Sequence, residues 1–158
     1  GKYFLIKRFD RHQKDKVHMI SVAALLECDF RAPALDYNDL IKLTRILTGD
    51  DEEAMEMYRR MVFNVLIDNQ DDHAKNFSFL FDATNKVYRL SPAYDITPGR
   101  TYFGEHTTSV NGKGKGITDQ DMLLVAKNNR LNMDEAKAII QKCKKVLTNA
   151  AILGGVHA

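Results

Sequence analysis

From Asp50 to Leu66 the sequence reads as one uninterrupted amphipathic helix running directly into a dense charged loop, and this junction narrows the possible folds more than any other feature. Asp50 and Glu53 stand in the N-cap and N3 relationship, and Asp51 and Glu52 add negative charge beside the N–H groups of the first turn. Met57, Met61 and Val65, with Tyr58, Val62 and Leu66 on the adjoining face, make an apolar surface wide enough to put the helix at the centre of the core. Near Asp68-Asn69 it gives way to NQDDHAKNFSFLFD, residues 69–82, where Asp71, Asp72, His73, Lys75 and Asn76 run straight into Phe77, Phe79, Leu80 and Phe81. FSFLF (77–81) and VYRL (87–90) read as a hairpin across DATNK, with Asn85 as its left-handed residue. The charged loop is therefore mounted between two rigid elements.

The rest of the chain supplies more helix than strand. YFLIKRF (3–9) reads as a strand and VHMISV (17–22) as its partner across a polar turn. Leu40, Leu43 and Leu47 repeat at helical spacing until Gly49 stops them. A loop-rich segment, 91–117, carries Pro92, Pro98 and five glycines. Thr118 and Asp121 form a second capping pair, with a helix to about Arg130. Asn132 and Glu135 form a third, leading a helix through Ala136, Ile139, Ile140, Cys143 and Leu147 to a frayed LGGVHA tail. Repeats, low-complexity tracts and Pro/Gly/Ser linkers are absent from the sequence, so one α+β domain over residues 1–158 is expected, mainly helical with short antiparallel hairpins.

Composition sets outer limits. With 44% hydrophobic and 28% charged residues, a 158-residue chain can bury roughly 70% of its unfolded surface. A net charge of +2 gives no argument for nucleic acid or a membrane surface. Cys28 and Cys143 are far apart and match no metal spacing, which suits reduced thiols and a cytoplasmic location. The chain opens on the polar pair Gly1-Lys2 rather than a signal peptide, and no apolar run approaches the ~20 residues of a membrane span.

The chemistry resides in the charged loop. Asp71 and Asn76 are five positions apart. Phosphoryl transfer by protein kinases needs such a pair: a carboxylate accepts the proton of the attacking hydroxyl, and an amide oxygen shortly after ligates Mg²⁺. A second metal-binding carboxylate should lie beyond a hairpin, and Asp95 in SPAYDI stands nineteen residues after Asn76, directly past the predicted hairpin. The bland alternative has Asp71 and Asp72 capping a turn while His73 packs on the helix. It leaves the register of Asp95 unexplained. Asp72 is read as a surface or supporting residue. Together the three carboxylates repel one another unless a cation joins them, and Lys75 offsets part of that charge.

DDHAKNFS followed by LSPAYDI resembles the HipA family of bacterial toxin kinases, whose pattern is close to D-x-H-x-K-N-F-S, a short hairpin, then P-x-Y-D. LIKRFDR (5–11) and SVNGK (109–113) are similar to two further family motifs, E-R-F-D-R and S-I-N-G-K, so the resemblance spans most of the chain. It implies a kinase C-terminal lobe and a serine/threonine protein kinase using Mg²⁺ and ATP. Asp71 is the implied catalytic base and Asn76 and Asp95 the implied Mg²⁺ ligands. The resemblance places His73 and Lys75 near the phosphates, Tyr94 near the nucleotide, and Lys7, Arg8 and Phe9 at the hinge that meets adenine. Lys7 stands where the family usually has Glu. It also implies a protein substrate from translation, such as an aminoacyl-tRNA synthetase, an antitoxin partner, and DNA contact only through that partner. The chain begins at the hinge, so the glycine-rich loop and strand lysine of an N-lobe are expected in a preceding segment or a separate subunit, and the 158 residues alone are expected to be inactive.

Four rival readings compete for the same residues. A lipid-type kinase shares the D-x-H-x-x-N loop but usually carries its metal Asp in D-F-G, whereas this chain has Tyr94-Asp95-Ile96. An interaction module could keep the fold, bind an antitoxin or an N-lobe, and lack the chemistry. A helix-turn-helix around Leu131-Asn132 would meet DNA phosphate with Asp134 and Glu135, while NGKGKG (111–116) lacks the order of a phosphate loop and reads as a flexible segment. A metal hydrolase on Asp71, His73 and Asp95 has too little imidazole for zinc.

Overall fold

In the computed structural model, which describes residues 3, 5–12, 15–27 and 35–154, the described residues form seven short strands and five helices. Their order is β1 (Arg11–His12), β2 (Asp15–Lys16), β3 (Met19–Ser21), α1 (Val22–Leu25), β4 (Leu35–Asp36), α2 (Tyr37–Thr48), α3 (Asp51–Leu66), β5 (Ser78–Asp82), β6 (Val87–Leu90), β7 (Thr108–Ser109), α4 (Asp119–Asn128) and α5 (Met133–Gly154). A single 3₁₀ turn, Ala74–Asn76, precedes β5. The class is the α+β one expected, with helix predominating.

The pillar is α3. Its Ala54, Met57, Tyr58, Met61 and Val62 are fully buried, packed between α2 on one side and α5 on the other. Burial of each large side chain contributes roughly 1.5–3 kcal/mol, which outweighs any propensity difference along the helix. Val65 and Leu66 are only half-buried, because there the helix runs out toward the charged loop. Gly49 ends α2 at φ 65°, a left-handed cap that a Cβ would strain. The Thr118–Asp121 capping box forms in full, and Asn132 receives the N–H groups of Asp134 and Glu135 at the start of α5.

Three local expectations are corrected. Asp50 caps α3 through the N–H of Glu52, but Glu53 does not return to Asp50. Its carboxylate instead accepts the N–H of Leu90 at 2.5 Å and meets Arg89 at 3.5 Å, binding β6 to the helix. In the β5–β6 hairpin the left-handed residue is Lys86, at φ 56°. Asp82 holds Asn85 by both its backbone N–H and its side-chain amide, so the reversal falls one residue later.

The third correction is the first strand. Residues 10–12 and 15–17 form a ladder of their own, Arg11 opposite Lys16 and His12 opposite Asp15, closed by Val17 N–H to Asp10 C=O. β3 then pairs with β5 rather than with residues 3–9, placing Ile20 opposite Phe79 in a β3–β5–β6 sheet. Tyr3, Leu5 and Ile6 are exposed and belong to no strand, and Phe4 is outside the described residues. Cys143 is half-buried and free, with burial pushing its thiol up, and Cys28 also falls outside the described residues.

The SVNGK stretch is a tie between elements. β4 and β7 pair in parallel, and Asp36, the N-cap of α2, accepts Ser109 Oγ at 2.7 Å and Gly112 N–H at 2.8 Å. Burial works to raise the Asp36 carboxyl, yet these donors together hold it below its ordinary value. Asn111 accepts from Asn38 and donates to the Asp121 carbonyl, so one turn joins α2 to α4.

Lys113 adds an ion pair to Asp121 at 2.6 Å, and with the Thr118 donors it lowers the Asp121 carboxyl from 3.8 to about 2. A depressed carboxylate stabilises the fold above its unfolded value and loses that contribution as pH falls toward its folded one. Lys113 is half exposed, so solvent screening reduces the effect to about 1 kcal/mol. Urea unfolding of Asp121→Asn and wild type should differ by that amount at pH 6, and the gap should close between about pH 4 and pH 2.

Candidate active site

The charged loop leaves α3 through Asp68, a left-handed residue at φ 57°, and is gripped at once by backbone. Asn69 N–H returns to Asn64 C=O at 2.9 Å. Gln70 donates to Gly99 C=O at 2.8 Å and accepts from Thr107 N–H at 3.0 Å. Side chains then alternate across the extended backbone, so neighbours acquire opposite environments. Asp71 has 68% of its side chain exposed, Asp72 none and His73 23%.

Asp72 is therefore not the surface residue expected from sequence. Its carboxylate accepts Tyr37 Oη at 2.8 Å and Thr108 N–H at 3.1 Å, and lies 3.1 Å from His106 Nδ1. Tyr37 Oη in turn accepts from Asn64 Nδ2, and Asn64 Oδ1 accepts from Asn69 Nδ2, both at 3.0 Å. This buried run ties α2, α3 and the 106–108 segment to the loop's midpoint. Burial, and then the Asp72 charge, push the Tyr37 phenol well above its ordinary value, so it remains a donor. A buried network with every member satisfied rigidifies the elements it joins.

With Asp72 anchored inward, Asp71 faces solvent. Its backbone carbonyl accepts Asn76 Nδ2 at 2.8 Å, which orients the Asn76 amide and turns its oxygen away from the loop backbone. The 3₁₀ turn is closed by Asn76 N–H to His73 C=O at 2.8 Å. His73 Nε2 lies 3.8 Å from Asp71 Oδ1, while its Nδ1 is buried without a hydrogen-bond partner among the described residues.

The opposite wall comes from SPAYDI. Tyr94 Oη donates to Lys75 C=O at 2.6 Å, so Ser78 Oγ, 2.5 Å away, must be the donor to Tyr94. Burial raises the Tyr94 phenol, the Ser78 hydrogen bond works against it, and the nearby Asp95 charge adds to the rise. Phe9 packs on the same ring at a centroid distance of 5.7 Å. Asp95 comes next at φ 56°, in the left-handed region. Such strain in a non-glycine residue costs of order 1–3 kcal/mol and concentrates at functional sites.

Asn76, Tyr94 and Asp95 line one narrow cleft, with Arg60, Asn64 and Asn69 also in its wall. Arg60 is buried, and its guanidinium donates to Ser91 C=O at 2.6 Å, steadying the segment that ends in Asp95. Burial lowers that guanidinium and the adjacent Glu56 raises it. Two oxygen donors from separate elements suit a hard divalent cation, which commonly takes one or two protein oxygens and completes its shell with phosphates and water. Among the described residues no three His, Cys, Asp or Glu side chains gather to hold a metal without such help.

Of the residues singled out in the sequence, Asn76, Tyr94 and Asp95 line one cleft, and Asp71, His73 and Lys75 sit on the adjoining loop. Phe9 reaches the site through Tyr94, whereas Lys7 is exposed and outside the cleft lining. Sequence reasoning misses the supporting residues Tyr37, Arg60, Asn64, His106 and Thr108. One signal exists: Arg60 and Asn64 stand four apart on a helix flanked by core positions, where polar residues need partners.

The HipA-like C-terminal domain family matches residues 1–151. Among curated proteins, the chain is 31% identical over 157 residues to "Putative kinase Y4dM" of Sinorhizobium fredii (strain NBRC 101917 / NGR234), covering 92% of this chain and 38% of that protein. Among solved structures it superposes on a chain of the "Shewanella oneidensis MR-1 Toxin Antitoxin System HipA, HipB and its operator DNA complex" with a TM-score of 0.72 and 14% identity. That match covers 91% of this chain and 40% of the other, so the present chain spans about two fifths of both relatives. Among the described residues no helix is long and apolar enough to cross a membrane.

Proposed function

Because this chain belongs to the HipA-like C-terminal domain family, we propose that it is the catalytic lobe of an ATP-dependent serine/threonine protein kinase of the toxin type. One observation carries the proposal. Asn76 and Asp95, held on different elements, face one cleft beside an exposed Asp71 whose own backbone orients the Asn76 amide.

Each residue then has a task. Asp71 accepts the proton of a protein hydroxyl as that oxygen bonds to the γ-phosphorus of ATP and the bond to the β-phosphate oxygen breaks, releasing ADP. Asn76 and Asp95 hold Mg²⁺ by oxygen. When bound, Mg²⁺ neutralises charge developing on the transferred phosphoryl group. Lys75 and His73 lie on the same loop, toward the phosphates, with His73 Nε2 3.8 Å from the Asp71 carboxylate. Tyr94 and Phe9 form an aromatic wall for the nucleotide, while Lys7, exposed two residues before Phe9, would meet it only from the solvent side. The name of the curated relative supports kinase chemistry, and the HipA–HipB–operator complex supports an antitoxin partner through which DNA is met indirectly. The substrate would be a protein of translation, such as an aminoacyl-tRNA synthetase, in the cytoplasm. The chain spans about two fifths of the relatives it matches, and transfer depends chiefly on positioning by the whole enzyme, so the 158 residues alone are expected to bind nucleotide without turning it over.

Paramagnetic Mn²⁺ in place of Mg²⁺ gives a direct test. Mn²⁺ with ATP should broaden the amide resonances of Asn76 and Asp95 before those of α4 or α5, and EDTA should restore them. Broadening scattered over surface carboxylates would refute the site.

A further inference from the structure

A second cleft, of about 440 Å³, opens beside the catalytic loop and is walled by Asp68, Gln70, Arg100, His106 and the glycine-containing run 114–117. His106 belongs to both places, since its Nδ1 meets the buried Asp72 while the residue lines this cleft. Gln70, the residue before Asp71, fixes the cleft's shape. Its side-chain oxygen receives Thr101 N–H, and its amide nitrogen donates to Asp68, both at 2.9 Å.

Between the wall residues Arg100 and Gly104, Tyr102 and Phe103 stand 96% and 82% exposed, packed edge-to-face on each other at 5.2 Å. Paired aromatics on a loop tip leave a large apolar surface in water, as interaction surfaces do. The wall's cations are already matched: Arg100 bonds Asp68 at 2.9 Å and Lys115 bonds Glu105 at 2.9 Å. A nearly neutral cleft disfavours a polyanion such as a nucleotide or nucleic acid. Gly104 and Gly116 along the wall have open space where a Cβ would stand, leaving main chain uncovered by side chains, the feature an extended peptide exploits, while Gly114 packs against Glu105.

Resting on the kinase reading above, we infer that this cleft seats an extended segment of the protein substrate, with a large apolar residue against Tyr102 and Phe103. Gln70 lines the cleft and Asp71 follows it in the chain, so an extended segment seated there leads toward the acceptor hydroxyl.

The test is an amide NMR titration of the 158-residue chain with pools of serine-centred decapeptides. Each pool fixes one flanking position as Phe, Leu, Asp or Lys, and Mg²⁺-ATP is titrated in parallel. Pools fixing Phe or Leu should shift residues 100–106 and 114–117. Tyr102→Ala combined with Phe103→Ala should weaken that binding at least tenfold while the Mg²⁺-ATP shifts at Asn76 and Asp95 persist. If those shifts persist in wild type but no pool binds, if charged pools bind best, or if the double variant binds equally well, the docking proposal is overturned and the kinase reading stands. Dimerisation abolished by the double variant, without peptide binding, would reassign the aromatics to a second copy of the chain. Loss of the Mg²⁺-ATP response in wild type overturns both.

Discussion

Replacing Asp72 with alanine is expected to lower the unfolding free energy by about 3 kcal/mol, while the same change at Asp71 should move it by less than about 0.5 kcal/mol. The contrast is sharp because the residues are adjacent and chemically identical. Asp72→Ala strands the Tyr37 hydroxyl and the Thr108 N–H in the interior and removes the partner of His106. Each stranded donor costs about 1–3 kcal/mol, because its bond to water was given up on folding. Asp71 is mostly solvated, and its anchoring role is played by its backbone carbonyl, which alanine retains. Urea unfolding of the two variants reads the difference. Equal, small losses would mean that the buried run from Asn69 to His106 does not hold the loop.

The second large effect is catalytic and runs the other way. In a preparation that transfers phosphate from Mg²⁺-ATP, Asp71→Ala should lower kcat by about 10²–10⁴-fold, the usual contribution of a positioned general base. Affinity for Mg²⁺-ATP should stay within about twofold, because Asp71 acts on the hydroxyl rather than on the nucleotide. A fall in nucleotide affinity with kcat preserved would make Asp71 a binding residue and leave the base unassigned. Asp71→Asn should behave like the alanine variant, since an amide keeps the shape and loses the basicity.

The parts of this molecule that are legible in its sequence are those decided within one or two turns of chain. Gly49 ends α2, Thr118 and Asp121 box α4, and the apolar positions of α3 face the core, because each outcome depends on neighbours three or four residues away. The readings that fail are decided by distant partners. Glu53 is drawn off its cap by the N–H of Leu90, and residues 3–9 lose their expected partner because β3 pairs with β5. Asp72 obeys the same rule: its motif position is unremarkable, and its burial depends on Tyr37, His106 and Thr108, each more than thirty residues away. The cleft that unites Asn76 with Asp95 is legible only as a spacing. The positive φ of Asp95 and the Tyr94–Lys75 bond that sets the two walls together are tertiary facts.

The most direct measurement is a calorimetric titration of ATP, with and without Mg²⁺, into the chain and into its Asp95→Ala variant. A kinase metal site predicts magnesium-dependent binding to the wild type that disappears in the variant. The variant's unfolding midpoint should stay level or fall slightly, since alanine tolerates the left-handed backbone at residue 95 less well than aspartate does. Equal binding by both proteins, or binding indifferent to magnesium, would contradict the assignment of Asn76 and Asp95 as the pair that holds the metal.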